Sequence, residues 1–206
     1  MNLTEPLDGL TSPVEAAVLR VLAKSDAGFS GRQLHVLAGV GSTSSVHRAL
    51  AAFVHLGLVL PESRPPAIIY RANRDHVLWP VVDLALGARE RALDSIVQFC
   101  LANAPADLTV LLFGSVARRE STLDSDIDLF VVFPDSIDDE LEAEFTYRLA
   151  DHVEHVTGSE AQVLHLRRAE LAQRLDDDDP LVVNVIEDGH LLHGAPLISQ
   201  QARLSA

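Results

Sequence analysis

The sequence predicts an α+β protein of two domains, helices closed by a hairpin first and then a small mixed sheet with helices. Three observations carry this expectation. Charge divides the 206 residues unevenly: residues 1–88 hold seven Lys/Arg and seven Asp/Glu, residues 89–206 nine and twenty-three, so the whole net charge of −14 lies in the second half. Apolar residues recur at helical spacing through the first half and end in two short runs around prolines. In the second half, short apolar runs alternate with amphipathic stretches, the order of a sheet packed against helices. The hydrophobic content of 48% provides for a core, and the length suits one large domain or two small ones. The boundaries expected are 1–75, a helical connector at 76–88, and 89–206.

Pro13 opens the first helix, with Val14, Ala17, Val18, Val21 and Leu22 at inward positions. Ser30 is an N-cap residue for a short helix ending at Ala38, and residues 39–41 make a turn. Ser42 or Thr43 caps a third helix with Val46, Leu50, Phe53, Val54 and Leu56 inward, and Gly57 stops it. Strands at 58–60 and 67–71 flank a proline-rich turn at 61–66. The layout resembles the winged helix-turn-helix domains of bacterial regulators. That resemblance implies a third helix lying in the DNA major groove. The expected DNA contacts are Ser44, Ser45 and Arg48 on that helix and Arg64 at the hairpin tip, since hydroxyl and guanidinium groups meet phosphates and base edges. A neutral first half and an acidic second half work against DNA, and a module for dimerisation or partner docking is the alternative. Residues 75–103 read as helical with a break at Pro80 and Gly87, and Val77, Leu78, Val81, Val82, Leu84 and Leu86 offer apolar surface to a homodimer. Trp79 suits that surface or a core equally.

The second half begins with a helix over 88–102 and strands at 108–113 and 127–133. Ile137, Leu141, Phe145, Leu149, Val153 and Val156 mark an amphipathic helix. A strand at 161–166, a short helix from Arg167, a helix opened by Pro180 and a short strand at 191–193 complete the order, with the helices expected on one face of the sheet. The acidic run 176–179 suits the start of the helix that follows it. The single cysteine, Cys100, excludes an internal disulfide framework and is expected in the core. His152 and His155 stand three apart on a helix with no third ligand in view for zinc. There is no apolar signal region at the N-terminus and no run of transmembrane length, so a cytoplasmic protein with no membrane partner is expected.

Residues 110–133 read VLLFGSVARRESTLDSDIDLFVVF and carry the chemistry. Asp126 and Asp128 are two apart at the head of a strand, so their carboxylates share a face. Two like charges so placed suit a cation, and Mg²⁺ is commonly held by one or two carboxylates together with substrate phosphates. Gly114 lets the backbone turn and approach a ligand closely. Amides opening a following helix favour anions. Ser115 adds a hydroxyl, and Arg118 lies within reach of a phosphate or of Asp126. Together they suggest a nucleoside triphosphate, such as ATP, held through Mg²⁺.

The segment resembles the signature of the DNA polymerase β-like nucleotidyltransferases, in their minimal branch. The family pattern is Gly-Ser, a small residue and Arg, then a gap of about ten residues to Ser-Asp-x-Asp-Leu. Gly114, Ser115, Ala117, Arg118, Ser125, Asp126, Asp128 and Leu129 fit it, whereas Arg119 stands where the family often has Gly. The chain is therefore expected to join an N-terminal winged helix-turn-helix to a small mixed-sheet nucleotidyltransferase-type domain. The resemblance implies Asp126 and Asp128 as catalytic and metal-binding residues, and Gly114, Ser115, Arg118 and Ser125 as nucleotide-binding residues. It further implies transfer of a nucleotidyl group, AMP from ATP, to a hydroxyl. In related proteins the acceptor can be a tyrosine of a paired toxin, so a partner protein is an implied acceptor. The family's third carboxylate falls at Gln162, with Glu160 as the nearby acid. Gln is a poor Mg²⁺ ligand and no base, which keeps two alternatives open: a regulator with a catalytically weak, nucleotide-sensing domain, and a partner-binding protein of the toxin-antitoxin type.

Overall fold

The computed structural model describes residues 1–197 and contains two compact units, Glu5–Ala88 and Met1–Thr4 with Arg89–Ala206. The last nine residues of the 89–206 stretch lie outside the described residues.

In the Glu5–Ala88 unit a 3-10 turn precedes α1 (Pro13–Ala23), β1 (Phe29–Ser30), α2 (Gly31–Ala38), α3 (Thr43–His55), β2 (Val59–Arg64), β3 (Ala67–Ala72) and α4 (Trp79–Leu86). Reciprocal serine caps open the first three helices: Ser12 with Glu15, Ser30 with Gln33 and Ser42 with Ser45. Of the two caps offered for α3, the structure uses Ser42. The strands form an antiparallel sheet in the order β1-β3-β2. Strand β2 is longer than expected, because Pro61 sits on an edge strand, where its missing N–H costs no ladder bond. Pairing continues to Arg64 opposite Ala67, leaving only Pro65 and Pro66 in the turn. Leu22, Leu34, Val46, Leu50 and Phe53 centre the core. Leu56, expected inward, is exposed just past the end of α3. Trp79 belongs to the core at 1% exposure, with the Arg74 guanidinium carbon 4.8 Å from its ring centre. Val77, Leu78, Val81 and Leu84 are exposed.

The second unit contains α5 (Ala88–Asn103), β4 (Thr109–Phe113), α6 (Gly114–Ala117), β5 (Ile127–Phe133), α7 (Asp139–Thr157), β6 (Ala161–Arg167), α8 (Arg168–Asp176), α9 (Pro180–Asp188) and β7 (His190–His193). The sheet order is β6-β5-β4-β7, with β5 and β6 parallel and the other pairs antiparallel. Helices cover both faces of this sheet rather than one. Ile127, Leu129, Val131 and Phe133 pack with Ala92 and Ile96 of α5 and Phe145, Leu149 and Val153 of α7. Leu111, Phe130 and Val132 pack with Leu171 of α8 and Val182, Val185 and Ile186 of α9. The reason is legible in β4 and β5, whose nearly unbroken apolar runs leave no polar face for water.

Leu141 and Val156 turn outward at the two ends of α7, since successive fourfold steps drift around a helix of 3.6 residues per turn. The Asp179 side chain accepts from the Leu181 amide at 2.9 Å and caps α9. Cys100 is fully buried, and burial pushes its thiol pKa up to about 12. His152 bonds Ser95 at 3.1 Å and stacks on Phe99, a packing role. Among the described residues no helix is long and apolar enough to cross a membrane.

Candidate functional site

Three strands bring the signature together. Antiparallel pairing sets Phe113, the last residue of β4, opposite Asp128, and parallel pairing sets Gln162 of β6 opposite Asp128 on its other side. Asp126 stands one residue before β5. From Phe113 the chain enters Gly114 at φ +70°, a left-handed conformation that glycine adopts freely. There is also no room for a side chain: a Cβ at this position would overlap Asp128 Oδ2 and stand 2.8 Å from its Cγ. Gly114 thus permits both the turn and the close approach of the Asp128 carboxylate to the loop. The loop then winds through the single turn of α6, closed by the Arg118 amide on the Gly114 carbonyl at 3.2 Å and the Glu120 amide on the Ser115 carbonyl at 2.8 Å.

Asp128 is partly buried, and its pKa is raised, first by burial and then by the charge of Asp126, with Arg118 opposing. A desolvated carboxylate beside a second one lacks positive charge, the electrostatic state that a bound cation relieves. Asp126 Oδ2 accepts a hydrogen bond from Gln162 Nε2 at 2.7 Å. The Ile127 amide donates to the Glu160 carbonyl at 2.8 Å, tying the start of β5 to the residue before β6. So Gln162 stands beside Asp126, where it presents an N–H rather than an anionic oxygen, and Glu160 meets the start of β5 through its backbone carbonyl. Among the described residues no group of three or more His, Cys, Asp or Glu is placed to hold a metal. The donor set of two carboxylates fits Mg²⁺ that also takes oxygens from a substrate's phosphates.

The remaining sequence-predicted residues are more committed than their spacing suggested. Ser115 is partly buried on α6. Ser125 Oγ accepts from the Thr122 amide at 2.8 Å and lies 3.2 Å from Thr122 Oγ1, closing the turn that delivers Asp126. Arg118 is exposed and donates from Nε to Glu120 at 3.0 Å, a carboxylate that competes with any other anion for this guanidinium. In the other unit, Ser45 Oγ is bound to the Ser42 carbonyl at 2.7 Å and Ser44 Oγ lies 2.9 Å from Ser42 Oγ. Arg64 donates twice to Glu62, at 2.6 and 3.2 Å, and Arg71 pairs with the same carboxylate at 3.0 Å. Arg48 is exposed and has no ion pair among the described residues.

Arg119 adopts φ +62°, which explains the glycine preferred at this point of the signature. Its 3.7 Å pair with Glu90 joins two exposed side chains and stabilises little. Arg119→Gly is therefore expected to raise stability by about 0.5–1 kcal/mol, set by relief of backbone strain against added unfolded-state entropy. Urea denaturation checks this, and a lower midpoint would contradict it. Sequence reasoning missed Thr4 and Ser121, which bond each other at 2.7 Å across 117 residues and leave no local signal.

Residues 96–194 match the family model described as Polymerase beta, Nucleotidyltransferase, and this stretch carries a nucleotidyltransferase-type domain. No curated protein matches the chain. Similar solved structures include a toxin-antitoxin complex with AMP-PNP, at 24% identity over 54% of this chain and 78% of that one, with a TM-score of 0.38. Another is a tri-AMPylated Shewanella oneidensis HEPN toxin in complex with MNT antitoxin, at 22% identity over 56% and 77% of the two chains, with a TM-score of 0.35.

Proposed function

We propose that the nucleotidyltransferase-type domain binds a nucleoside triphosphate through Mg²⁺ held by Asp126 and Asp128, and that it acts as a slow or non-transferring nucleotide sensor joined to a winged helix-turn-helix DNA-binding module. The observation that carries the nucleotide half is the Asp128 carboxylate lying against Gly114 with Asp126 beside it. Gly114 lets the Asp128 carboxylate lie against the loop, Ser115 and the loop amides are assigned to the phosphate chain, and Arg118 is assigned to a phosphate oxygen. When bound, the metal neutralises charge on the incoming and leaving oxygens of an in-line displacement at phosphorus. The slow or non-transferring part of this reading is supported by the residue beside Asp126. The group facing Asp126 is the Gln162 amide, which cannot take a proton.

The DNA half is supported by the order helix, strand, helix, helix, hairpin with a three-stranded antiparallel sheet. Arg48 is the residue assigned to phosphate there. Ser44, Ser45 and Arg64 are secondary, because each is already engaged within its own element. The exposed apolar residues of and before α4 are the surface assigned to a homodimer. A second reading is nucleotidyl transfer to a hydroxyl, supported by the match of residues 96–194 to the nucleotidyltransferase model, with a partner protein as the acceptor assigned to it.

Calorimetry with ATP and Mg²⁺, labelled-ATP transfer and footprinting on the protein's own upstream DNA test this together. Expected are Mg²⁺-dependent ATP binding, little transfer, and a footprint. Arg48→Ala is expected to weaken that footprint and lower the salt slope by about 1 per lost phosphate contact. Absence of any footprint or sequence preference would remove the DNA module. Rapid labelling of a partner protein would establish the transferase reading in place of the sensor.

A further inference from the structure

The residues that converge on Asp126 are held from a distant point in the chain. Thr4 and Ser121 bond reciprocally: the Thr4 amide donates to Ser121 Oγ at 3.0 Å, the Ser121 amide donates to Thr4 Oγ1 at 3.0 Å, and the two hydroxyls stand 2.7 Å apart. Ser121 is 5% exposed, so both bonds are shielded from competing water. Next along the chain comes the turn closed by Thr122 and Ser125, and Asp126 follows directly. The same short segment grips the other side of the site. The Met1 amino group donates to Ser159 Oγ at 2.6 Å, and Ser159 precedes Glu160, whose carbonyl receives the Ile127 amide, and Gln162, whose amide holds Asp126. Leu3, 1% exposed, anchors the segment in the core beneath β5 and α5.

We propose that Met1–Thr4 is a clasp that positions Asp126 for metal, fixing the Ser121–Asp126 loop through Thr4 and the approach to β6 through Met1. Thr4 and Ser121 bond each other and lie outside the pair of carboxylates assigned to the metal, so they are positioning residues. Their effect is to remove loop alternatives in which Asp126 leaves the face it shares with Asp128. Preorganisation of this kind shows as affinity, because a loop already in its bound geometry has less freedom to lose. The Glu5–Ala88 unit is inserted directly after the clasp and rejoins this unit at Arg89.

This inference rests on the Mg²⁺–nucleotide reading, and the test separates the two. Thr4→Val keeps the shape and removes the hydroxyl, while Thr4→Ser keeps the hydroxyl. Calorimetry with ATP and Mg²⁺ is expected to show affinity reduced about five- to tenfold in Thr4→Val and in Ser121→Ala, and near wild type in Thr4→Ser. Hydrogen exchange of the ligand-free protein is expected to show faster exchange at the amides of residues 121–126 in Thr4→Val, reversed in Thr4→Ser. A lower melting temperature with unchanged Mg²⁺·ATP affinity would reduce the contact to simple packing and overturn the clasp. If the wild type itself binds no ATP with Mg²⁺, the nucleotide reading fails, and a clasp that positions Asp126 for metal fails with it. Faster exchange at 121–126 in Thr4→Val would then record only a structural tie of the loop.

Discussion

Asp128→Asn is expected to abolish Mg²⁺-dependent ATP binding while raising the melting temperature of the ligand-free protein. Both effects follow from one environment. The Asp128 carboxylate is held partly out of water, against Gly114 and beside Asp126, with only Arg118 in its favour, so its pKa is raised. A carboxylate whose folded pKa lies above its unfolded value stabilises the fold while protonated, and that contribution is lost as pH rises through the folded pKa. At neutral pH the ionised group is a cost, which the neutral asparagine removes. The metal reverses this preference, because Mg²⁺ needs the ionised form. Affinity for Mg²⁺·ATP is therefore expected to fall as pH is lowered through the raised pKa, beginning at higher pH than for an ordinary aspartate near about 3.9. Thermal unfolding of the ligand-free protein should show the opposite trend, with the wild type gaining on Asp128→Asn as the solution becomes more acidic. Asp126→Asn is expected to lose binding as well, with a smaller gain in stability. Its carboxylate accepts the Gln162 amide, so the change removes a charge-assisted bond along with the repulsion. Wild-type affinity in both variants would end the metal assignment.

Much of this site was readable because it is local. The strand before Gly114, the paired aspartates two residues apart and the strand at 161–166 each announce themselves within a few residues, and pairing of β5 with β6 puts Gln162 opposite Asp128. Glu160, the nearby acid in sequence, stands one residue before β6 and contributes its carbonyl to the Ile127 amide. What was not readable depends on partners far apart in the chain, or on competition for a side chain. Thr4 and Ser121 are separated by 117 residues, and nothing near either one predicts the other. Arg64 looks like a free cation at a hairpin tip until the antiparallel strands bring Arg71 and Glu62 alongside. Ser125 fits the signature by type, yet its hydroxyl is spent on the turn that presents Asp126. The second layer of helices was legible in principle: an apolar run such as that of β5 needs cover on both faces, and only α8 and α9 remain to supply the second.

Gln162→Glu is expected to convert the site from one that holds a nucleotide to one that transfers from it. Gln162 Nε2 stands 2.7 Å from Asp126 Oδ2, and glutamate has the same length, so the new carboxylate arrives beside both aspartates without moving the strand. In the absence of metal this is unfavourable, because the donated hydrogen bond becomes a third negative charge, and the ligand-free protein should melt at lower temperature. With Mg²⁺ the balance reverses, since the site gains an anionic oxygen of the kind the ion prefers. Affinity for Mg²⁺·ATP is expected to rise by about tenfold. A base near an acceptor hydroxyl is worth on the order of 10²–10⁴ in rate, so labelled-ATP transfer should rise by at least about a hundredfold when an acceptor is supplied. Glu160→Gln is the control at the residue just before β6, whose carbonyl takes the Ile127 amide, and is expected to change neither quantity. An active wild type silenced by Glu160→Gln would make Glu160 the third carboxylate in solution, against its position before the strand. An active wild type indifferent to both changes would mean that Asp126 and Asp128 suffice for transfer. Weak wild-type transfer restored by Gln162→Glu is the outcome the geometry favours, because the amide now in that place can neither bind the metal as an anion nor take the proton that nucleotidyl transfer to a hydroxyl must release.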